Sequence, residues 1–339
     1  MTSRVRAKVG QAWFRLAWRL RPAVGRPRIR LRTLLRLLYP NPLPEDLDHE
    51  QAAYRVAGSN TVRRLATVRD ILATLDAHSA PSPVSVRFGP EDVVEADVGG
   101  VRLALDRADH SVASVMLRDG AYEPHVTRVL TGLLAPGMTF LDVGANVGYF
   151  TVLAGGLVGA GGRVIAVEPS SENCRLLLRS LELNHLANVT LLPLALAEET
   201  GWSYLVHHVG SNSSLGAAGD VVGGWGQVVP TVRGDAVVTG PVDVVKMDVE
   251  GAEGLVVAGL APVIERCRPV VVSEASEEML GRVSGRTLAQ YVGWFVDRDY
   301  RCAVIPEDGS PPRDIEAVDA FVARWGDRFR IENLLFRPR

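Results

Sequence analysis

The chain has 339 residues, 47% of them apolar and 22% charged, which allows a sizeable core and is ordinary for a water-soluble globular protein. Its three cysteines (Cys174, Cys267 and Cys302) stand far apart with no C-x-x-C pair, which argues against a zinc site or a disulfide framework and fits a reducing cytoplasm. The net charge of −2 conceals an asymmetry: residues 1–40 hold eleven Lys or Arg and no acid, so the remainder carries −13.

In chain order, the first element expected is a basic amphipathic helix. Val5, Val9, Trp13, Leu16 and Leu20 recur at three- and four-residue spacing with Arg4, Lys8, Arg15 and Arg19 between them, until Pro22 and Pro27 end the pattern. Arg15 and Arg19 interrupt the apolar run, which excludes a secretory signal. Such an arm suits either an anionic membrane surface, making the protein membrane-peripheral, or an acidic body or sister subunit. No recognition module accompanies the arginines, so nucleic acid is not an expected partner. The longest weakly polar run, residues 152–162, is glycine-broken and too short to cross a bilayer.

"YPNPLPEDL" reads as a proline-rich linker. Asp48 then caps a helix whose apolar face is Val62, Leu65, Val68, Leu72 and Leu75, closed by "SAPSP". Two alternating runs, "VVEADV" and "VRLALD", joined by Gly99-Gly100, give a β-hairpin, and a helix is expected over residues 124–134. The expected organisation is a basic arm over 1–40, linker and helix over 41–83, hairpin and helix over 84–135, and an α/β domain over 136–339.

From Met138 the pattern becomes strand–helix alternation. "TFLDVG", "RVIAVE", "VTLLPL", "VDVVKMD", "PVVVSEA", "YRCAVI" and "RIENLLF" read as seven strands, with helices expected over 172–183, 252–261 and 286–296. Short β-branched runs alternating with helices indicate a doubly wound, mostly parallel sheet covered on both faces. In such sheets ligands lie beyond the carboxyl ends of the strands. "DVGANVG", "VEPSSEN", "KMDVEGAE" and "SEASE" are all strand-end loops of this kind.

"FLDVGANVGYF" puts Gly144, Asn146 and Gly148 between an apolar strand and a helix, with Asp142 just before them. The loop is G-x-N-x-G rather than the dinucleotide fingerprint G-x-G-x-x-G. A buried carboxylate there would repel a pyrophosphate and suits a ligand with a cationic amine and sulfonium. Glu168, ending the next strand, is spaced to accept hydrogen bonds from a ribose diol.

The segments "FLDVGANVGYFTVLAG", "GRVIAVEPSSENCRLLLRSLELN", "VVKMDVEGAEGLVVAG" and "RPVVVSEAS" resemble the FkbM family of S-adenosylmethionine-dependent methyltransferases, over roughly residues 119–280. The resemblance implies a class I methyltransferase (Rossmann-like) fold with a seven-stranded sheet, S-adenosylmethionine as cofactor, and methyl transfer to a hydroxyl. The acceptors it implies are sugar-containing or polyketide-like metabolites or a cell-envelope glycan. By position, Asp142, Gly144, Asn146 and Gly148 would line the methionine end of the cofactor and Glu168 would hold its ribose. Asn173 would assist or cap the following helix, Ala195 and Leu196 would border the adenine, and Tyr122 and Glu123 would close over the cofactor's carboxylate or amine.

Lys246 is one of only two lysines in the chain. Strand alternation puts it on the same face as Asp248, with Glu250 joining them if the chain stays extended. A lysine among carboxylates either stays charged, orienting them or polarising an acceptor oxygen, or is desolvated enough to titrate as a base. Asp248 is the expected acceptor-side base or orienting carboxylate, and Glu274, at the end of the next strand, is a second candidate base. Glu253 is expected to serve mainly the helix start that it flanks. No metal is assigned, although Asp248, Glu250 and Glu274 offer oxygen ligands for a Mg²⁺-dependent alternative acting on a diol. Another alternative is a non-catalytic cofactor-binding subunit, against which the intact Lys246–Asp248–Glu250 set speaks. The glycine-rich stretch over residues 207–226 reads as a specificity loop in which Ser211, Asn212, Ser213 and Ser214 are placed to hydrogen-bond a polyhydroxylated acceptor and Trp225 to stack on a sugar ring.

Overall fold

The computed structural model describes residues 86–88 (backbone only), 93–207, 212–216, 226–324 and 329–339. The basic arm, the linker, the helix expected from Asp48 and Trp225 lie outside these residues. By its contacts the chain divides into two units, Met1–Leu72 and Ala73–Arg339, and every structural statement below concerns the second.

The hairpin forms as its alternation requires. Strands β1 (Val86–Phe88), β2 (Val93–Val98) and β3 (Val101–Asp106) make an antiparallel sheet turning at Gly99 and Gly100, both at positive φ. An unanticipated helix, Val112–Asp119, comes after it and stops at Gly120 in the left-handed region; Pro124–Leu133 is next, with proline in its first turn.

The remaining strands are β4 (Thr139–Val143), β5 (Arg163–Val167), β6 (Val189–Leu192), β7 (Ala195–Ala197), β8 (Gly201–His207), β9 (Ser213–Gly216) and β10 (Gly226–Arg233). They continue as β11 (Val244–Met247), β12 (Val270–Ala275), β13 (Tyr300–Ile305), β14 (Arg313–Asp314) and β15 (Glu332–Pro338). All seven expected segments enter one sheet, ordered β14-β13-β15-β12-β11-β4-β5-β6. The run from β12 to β6 is parallel, whereas β15 lies antiparallel between β12 and β13. The expectation of a seven-stranded sheet therefore needs correction: antiparallel β15 makes the sheet mixed, and β14 adds an eighth strand as a two-residue antiparallel edge. So short and polar a segment has no periodicity to read.

Each face of this sheet carries its own core. Phe140, Val164, Ala166, Val244 and Val272 point toward the hairpin and the helix Tyr149–Val158. Leu141, Val143, Val245, Met247 and Val271 point toward the helices Glu253–Cys267 and Leu288–Val296. The hairpin shares the first core with the sheet, so packing runs unbroken from residues 93–135 into the α/β sheet. The helix Leu288–Val296 starts later than expected because Thr287 and Gln290 form a capping box.

A second sheet, ordered β7-β10-β8-β9, takes in the described part of the expected specificity loop, Ser213–Gly216 as β9 and the two ends at His207 and Gly226. β9 pairs with β8 through Leu205↔Leu215 and Val206↔Ser214, and Leu205, Leu215 and Val229 pack together over Ala195 and Ala252. Glycines and serines in and around this strand hid it from the pattern.

Candidate active site

Past the carboxyl ends of β4, β5, β11 and β12 lies a cavity of about 280 Å³. Where it is bordered by β5, Glu168 is 4% exposed and takes backbone hydrogen bonds on both oxygens: Asn146 N–H donates to Oε2 and Ser170 N–H to Oε1, each at 2.8 Å. Asn173 Nδ2 adds a 3.4 Å hydrogen bond to Oε1, while Ser170 caps the helix Ser171–Leu183. Asn173 thus orients Glu168 rather than capping. Burial outweighs these donors and pushes the Glu168 carboxyl up to about 7. Ala195 and Leu196 form an apolar wall nearby, joined by Leu205, Leu215, Asn212 and Ser213 of the second sheet and its flank. Ser213 Oγ lies 2.9 Å from His207 Nδ1.

Gly144 has φ +81°, and a Cβ there would stand 1.9 Å from the carbonyl oxygen of Asp248. Its glycine is required by the approach of the β11 loop, so the two strand-end loops are locked together at that point. Gly144 and Asn146 line the cavity; Gly148 does not, its missing side chain making room for Leu177. Asp142 also sits behind the wall. Opposite Lys246 in the β4–β11 register, it accepts a 2.6 Å hydrogen bond from Thr151 Oγ1 and leaves Oδ1 without a partner.

At the other side Lys246, 3% exposed, donates to Asp248 Oδ2 at 3.0 Å and lies 4.6 Å over the ring of Phe150. Phe150 packs edge-on against Tyr149 at 5.1 Å and tilted against Tyr122 at 5.9 Å. Glu123, Asp248 and Glu274 each bring a carboxylate oxygen within 4.8 Å of the others. Glu123 arrives from the turn before Pro124–Leu133 with φ 39°, and its Oε2 is buried without a partner. Glu250 lines the cavity too, but the chain does not stay extended to reach it: Glu250 and Gly251 have φ of 54° and 99°. Glu253 shapes that turn, accepting from the N–H groups of Val249 and Gly251, and does not line the cavity.

The crowding shows in the electrostatics. Burial, with Asp248 and Asp142 close by, raises Glu123 to about 7 against the pull of Lys246. Burial and the neighbouring Asp248 and Glu253 take Glu250 to about 7 as well. Glu274 rises well above the usual carboxylate range through burial, Asp248 and Glu123. Burial alone would lower Lys246, but Asp248, Glu123 and Asp142 outweigh it and the ammonium is held protonated. That corrects one sequence-based option, since Lys246 is not poised to lose its proton and act as a base.

The carboxylates that converge are Glu123, Asp248 and Glu274, not the Asp248–Glu250–Glu274 set that sequence offered to Mg²⁺. A dication among them would face the Lys246 ammonium. Lys246 already serves as the cluster's cation. Among the other expected residues, Ser213 lines the cavity and Ser214 does not. Asn212, expected on the acceptor side, lines the cavity as well, whereas sequence reasoning missed Tyr149, Phe150, Leu205, Leu215 and Ile331. The aromatic pair directly after the glycine loop was the available signal for the first two.

Residues 142–329, more than half of the chain, match the model of the methyltransferase FkbM domain. Among solved structures, the chain is similar to methyltransferase FkbM from Methylobacillus flagellatus KT, at 17% identity and TM-score 0.42, over 67% of this chain. It spans about half of that chain (53%). It is also similar to precorrin-6y C5,15-methyltransferase from Geobacter metallireducens GS-15, at 14% identity and TM-score 0.35, over 63% of this chain and 87% of that one. A further likeness is to a SAM-dependent O-methyltransferase from Thermotoga maritima, at 12% identity and TM-score 0.35, over 64% and 66% of the two chains. No curated protein matches the sequence significantly. On the match over residues 142–329, with these motifs carried on the strand ends of an α/β sheet, the chain belongs to the methyltransferase FkbM family.

Proposed function

We propose that the protein binds S-adenosylmethionine in this cavity and transfers its methyl group to a hydroxyl of a sugar-containing or polyketide-like metabolite or a cell-envelope glycan. The observation that carries the reading is the set of groups that line this one cavity. A buried, hydrogen-bonded Glu168 stands at one part, the apolar Ala195–Leu196 wall beside it, and a set of carboxylates including a partnerless Glu123 oxygen elsewhere. This fits a nucleoside with a ribose diol, a flat base and a cationic end. When bound, S-adenosylmethionine supplies a methyl carbon already activated by its sulfonium.

The chain's own residues supply position and proton acceptance. Glu168 would hold the ribose hydroxyls, with Asn173 fixing its orientation. Asp248, tied to Lys246, serves as the orienting carboxylate on the acceptor side. Glu274, raised well above the usual carboxylate range by burial beside Asp248 and Glu123, takes the acceptor's hydroxyl proton in its ionised form. Holding the acceptor oxygen at near-attack distance supplies up to about 7–11 kcal/mol of the barrier, and positioned proton transfer adds about 10²–10⁴-fold. Lys246 keeps the carboxylates in register and offers a charge near the developing alkoxide. Among the described residues no helix is long and apolar enough to cross a membrane.

The experiment is transfer of labelled methyl from S-adenosylmethionine across a panel of glycosides and hydroxylated polyketides, with and without EDTA. We expect label at a hydroxyl oxygen, at a rate EDTA leaves unchanged. Label on nitrogen or carbon would refute the acceptor chemistry, and loss of turnover with EDTA would refute the metal-free arrangement.

A further inference from the structure

The cavity-lining acids outnumber what a nucleoside needs. Glu168 accounts for a ribose, yet Glu123, Asp248 and Glu274 still converge within 4.8 Å, and one buried oxygen of Glu123 has no partner. Lys246 neutralises one of the three charges through its 3.0 Å hydrogen bond to Asp248, and Asp142 behind it competes for the same ammonium. With Asp248 paired to Lys246, Glu123 and Glu274 are left to bring net negative charge as they ionise with rising pH, in a pocket also lined by Tyr122, Tyr149 and Phe150. Ionised carboxylates of that kind hold a monocation and gain nothing from a neutral sulfur.

We propose that Glu123, Asp248 and Glu274 form a charge gate that holds the sulfonium of S-adenosylmethionine and releases the neutral thioether product. The gate rests on the reading that this cavity binds the cofactor. Transfer breaks the sulfur–methyl bond and forms the methyl–oxygen bond; the bond pair returns to sulfur and the acceptor's proton passes to a carboxylate. After transfer the sulfur has lost its charge and the carboxylates have gained a proton, so both changes weaken the product's hold. Specificity between cofactor and product then belongs to the protein's own acids rather than to the ribose or base, which the two ligands share.

The sign of the pH dependence can be worked out from the groups that face one another. Glu123 faces Lys246 and Asp142 from the strands, Tyr122 beside it, and Asp248 and Glu274 across the pocket. Glu274 faces Glu250 and Glu253 as well, and Arg282 stands near Glu250. Glu123 and Glu250 are held near 7 and Glu274 is raised in the same direction, so all are largely protonated well below neutrality and ionise as pH rises. Cation affinity should therefore rise with pH and binding should release protons. Glu168 titrates in the same range, but it acts on the ribose of both ligands and cancels in their ratio.

Calorimetric titration of the full chain with S-adenosylmethionine, S-adenosylhomocysteine and sinefungin, whose amine replaces the sulfonium, tests this. At about pH 8 the sulfonium and amine ligands should bind about tenfold or more tighter than the thioether, and at about pH 6 within about threefold of it. Glu123→Gln and Glu274→Gln should each weaken the sulfonium ligand about tenfold, leave the thioether within about twofold, and flatten the pH dependence of the ratio. Equal affinities for sulfonium and thioether at the higher pH in the unmodified protein overturn the gate while sparing the cofactor reading. Binding of no nucleoside at all refutes both. Binding of Mg²⁺ alone that Glu274→Gln removes would make the cluster a metal site and also overturns it.

Discussion

Gly144→Ala is expected to lower the melting temperature by about 5–15 °C and to abolish binding of S-adenosylmethionine. Two effects add. An alanine held at φ +81° costs about 1–2 kcal/mol against the right-handed alternative. Its Cβ would also stand 1.9 Å from the Asp248 carbonyl oxygen, a backbone atom that cannot swing aside, and overpacking of a closed site costs about 1–3 kcal/mol. Relief comes only if the β11 loop withdraws from the β4 loop, which moves Asp248 and the Asn146 N–H that binds Glu168. Differential scanning fluorimetry with and without ligand reads both consequences. A variant with unaltered melting temperature and affinity would show that the two loops are not locked at this point.

Lys246→Met is the second large effect. Removing the cation leaves Asp248, Glu123 and Asp142 buried against one another, and breaking such a buried pair typically costs about 3–5 kcal/mol. The stability loss should be larger at about pH 8 than at about pH 6, because Glu123 and Asp142, both already raised by burial, relieve the crowding by taking up protons as pH falls. Lys246→Arg separates charge from shape. The guanidinium keeps the charge, but at a site 4% exposed with Phe150 against it the larger planar fork would have to reach into the cavity that Lys246 lines. We expect it to be more stable than Lys246→Met and still at least about tenfold slower than the parent. Chemical denaturation at the two pH values, beside the methyl-transfer rate, decides this; full activity of Lys246→Arg would reduce the lysine to an exchangeable ion-pair partner.

Much of the framework was legible because buried parallel strands leave a plain mark. All four residues of β11 are buried, and a lysine in such a run can only mean a paired charge. The neighbours of Lys246 were partly legible. Asp248 is expected from strand alternation, whereas Asp142 becomes its partner through the β4–β11 register, which no local pattern encodes. For the same reason Asp142 was read as a cofactor contact, although its side chain lies behind the cavity wall. Glu123 entered the reading as a cofactor residue, but its meeting with Asp248 and Glu274 depends on a left-handed turn and on about 125 residues of intervening fold. Gly148 and Gly144 look alike in the loop, and only the packing separates one that accommodates Leu177 from one that accommodates the Asp248 backbone. The second sheet was hidden because β9 is only four residues long and rich in serine and glycine, so its pairing with β8 comes from tertiary context rather than propensity.

The central claim is that this cavity holds S-adenosylmethionine with its ribose on Glu168. Calorimetric titration of that cofactor into the full chain and into Glu168→Ala addresses it most directly, with circular dichroism confirming that the variant is folded. Loss of charge-assisted hydrogen bonds worth about 2–3 kcal/mol should weaken binding about 30- to 150-fold. A parent protein that binds no cofactor, or a folded Glu168→Ala that binds it as tightly as the parent, would contradict the account.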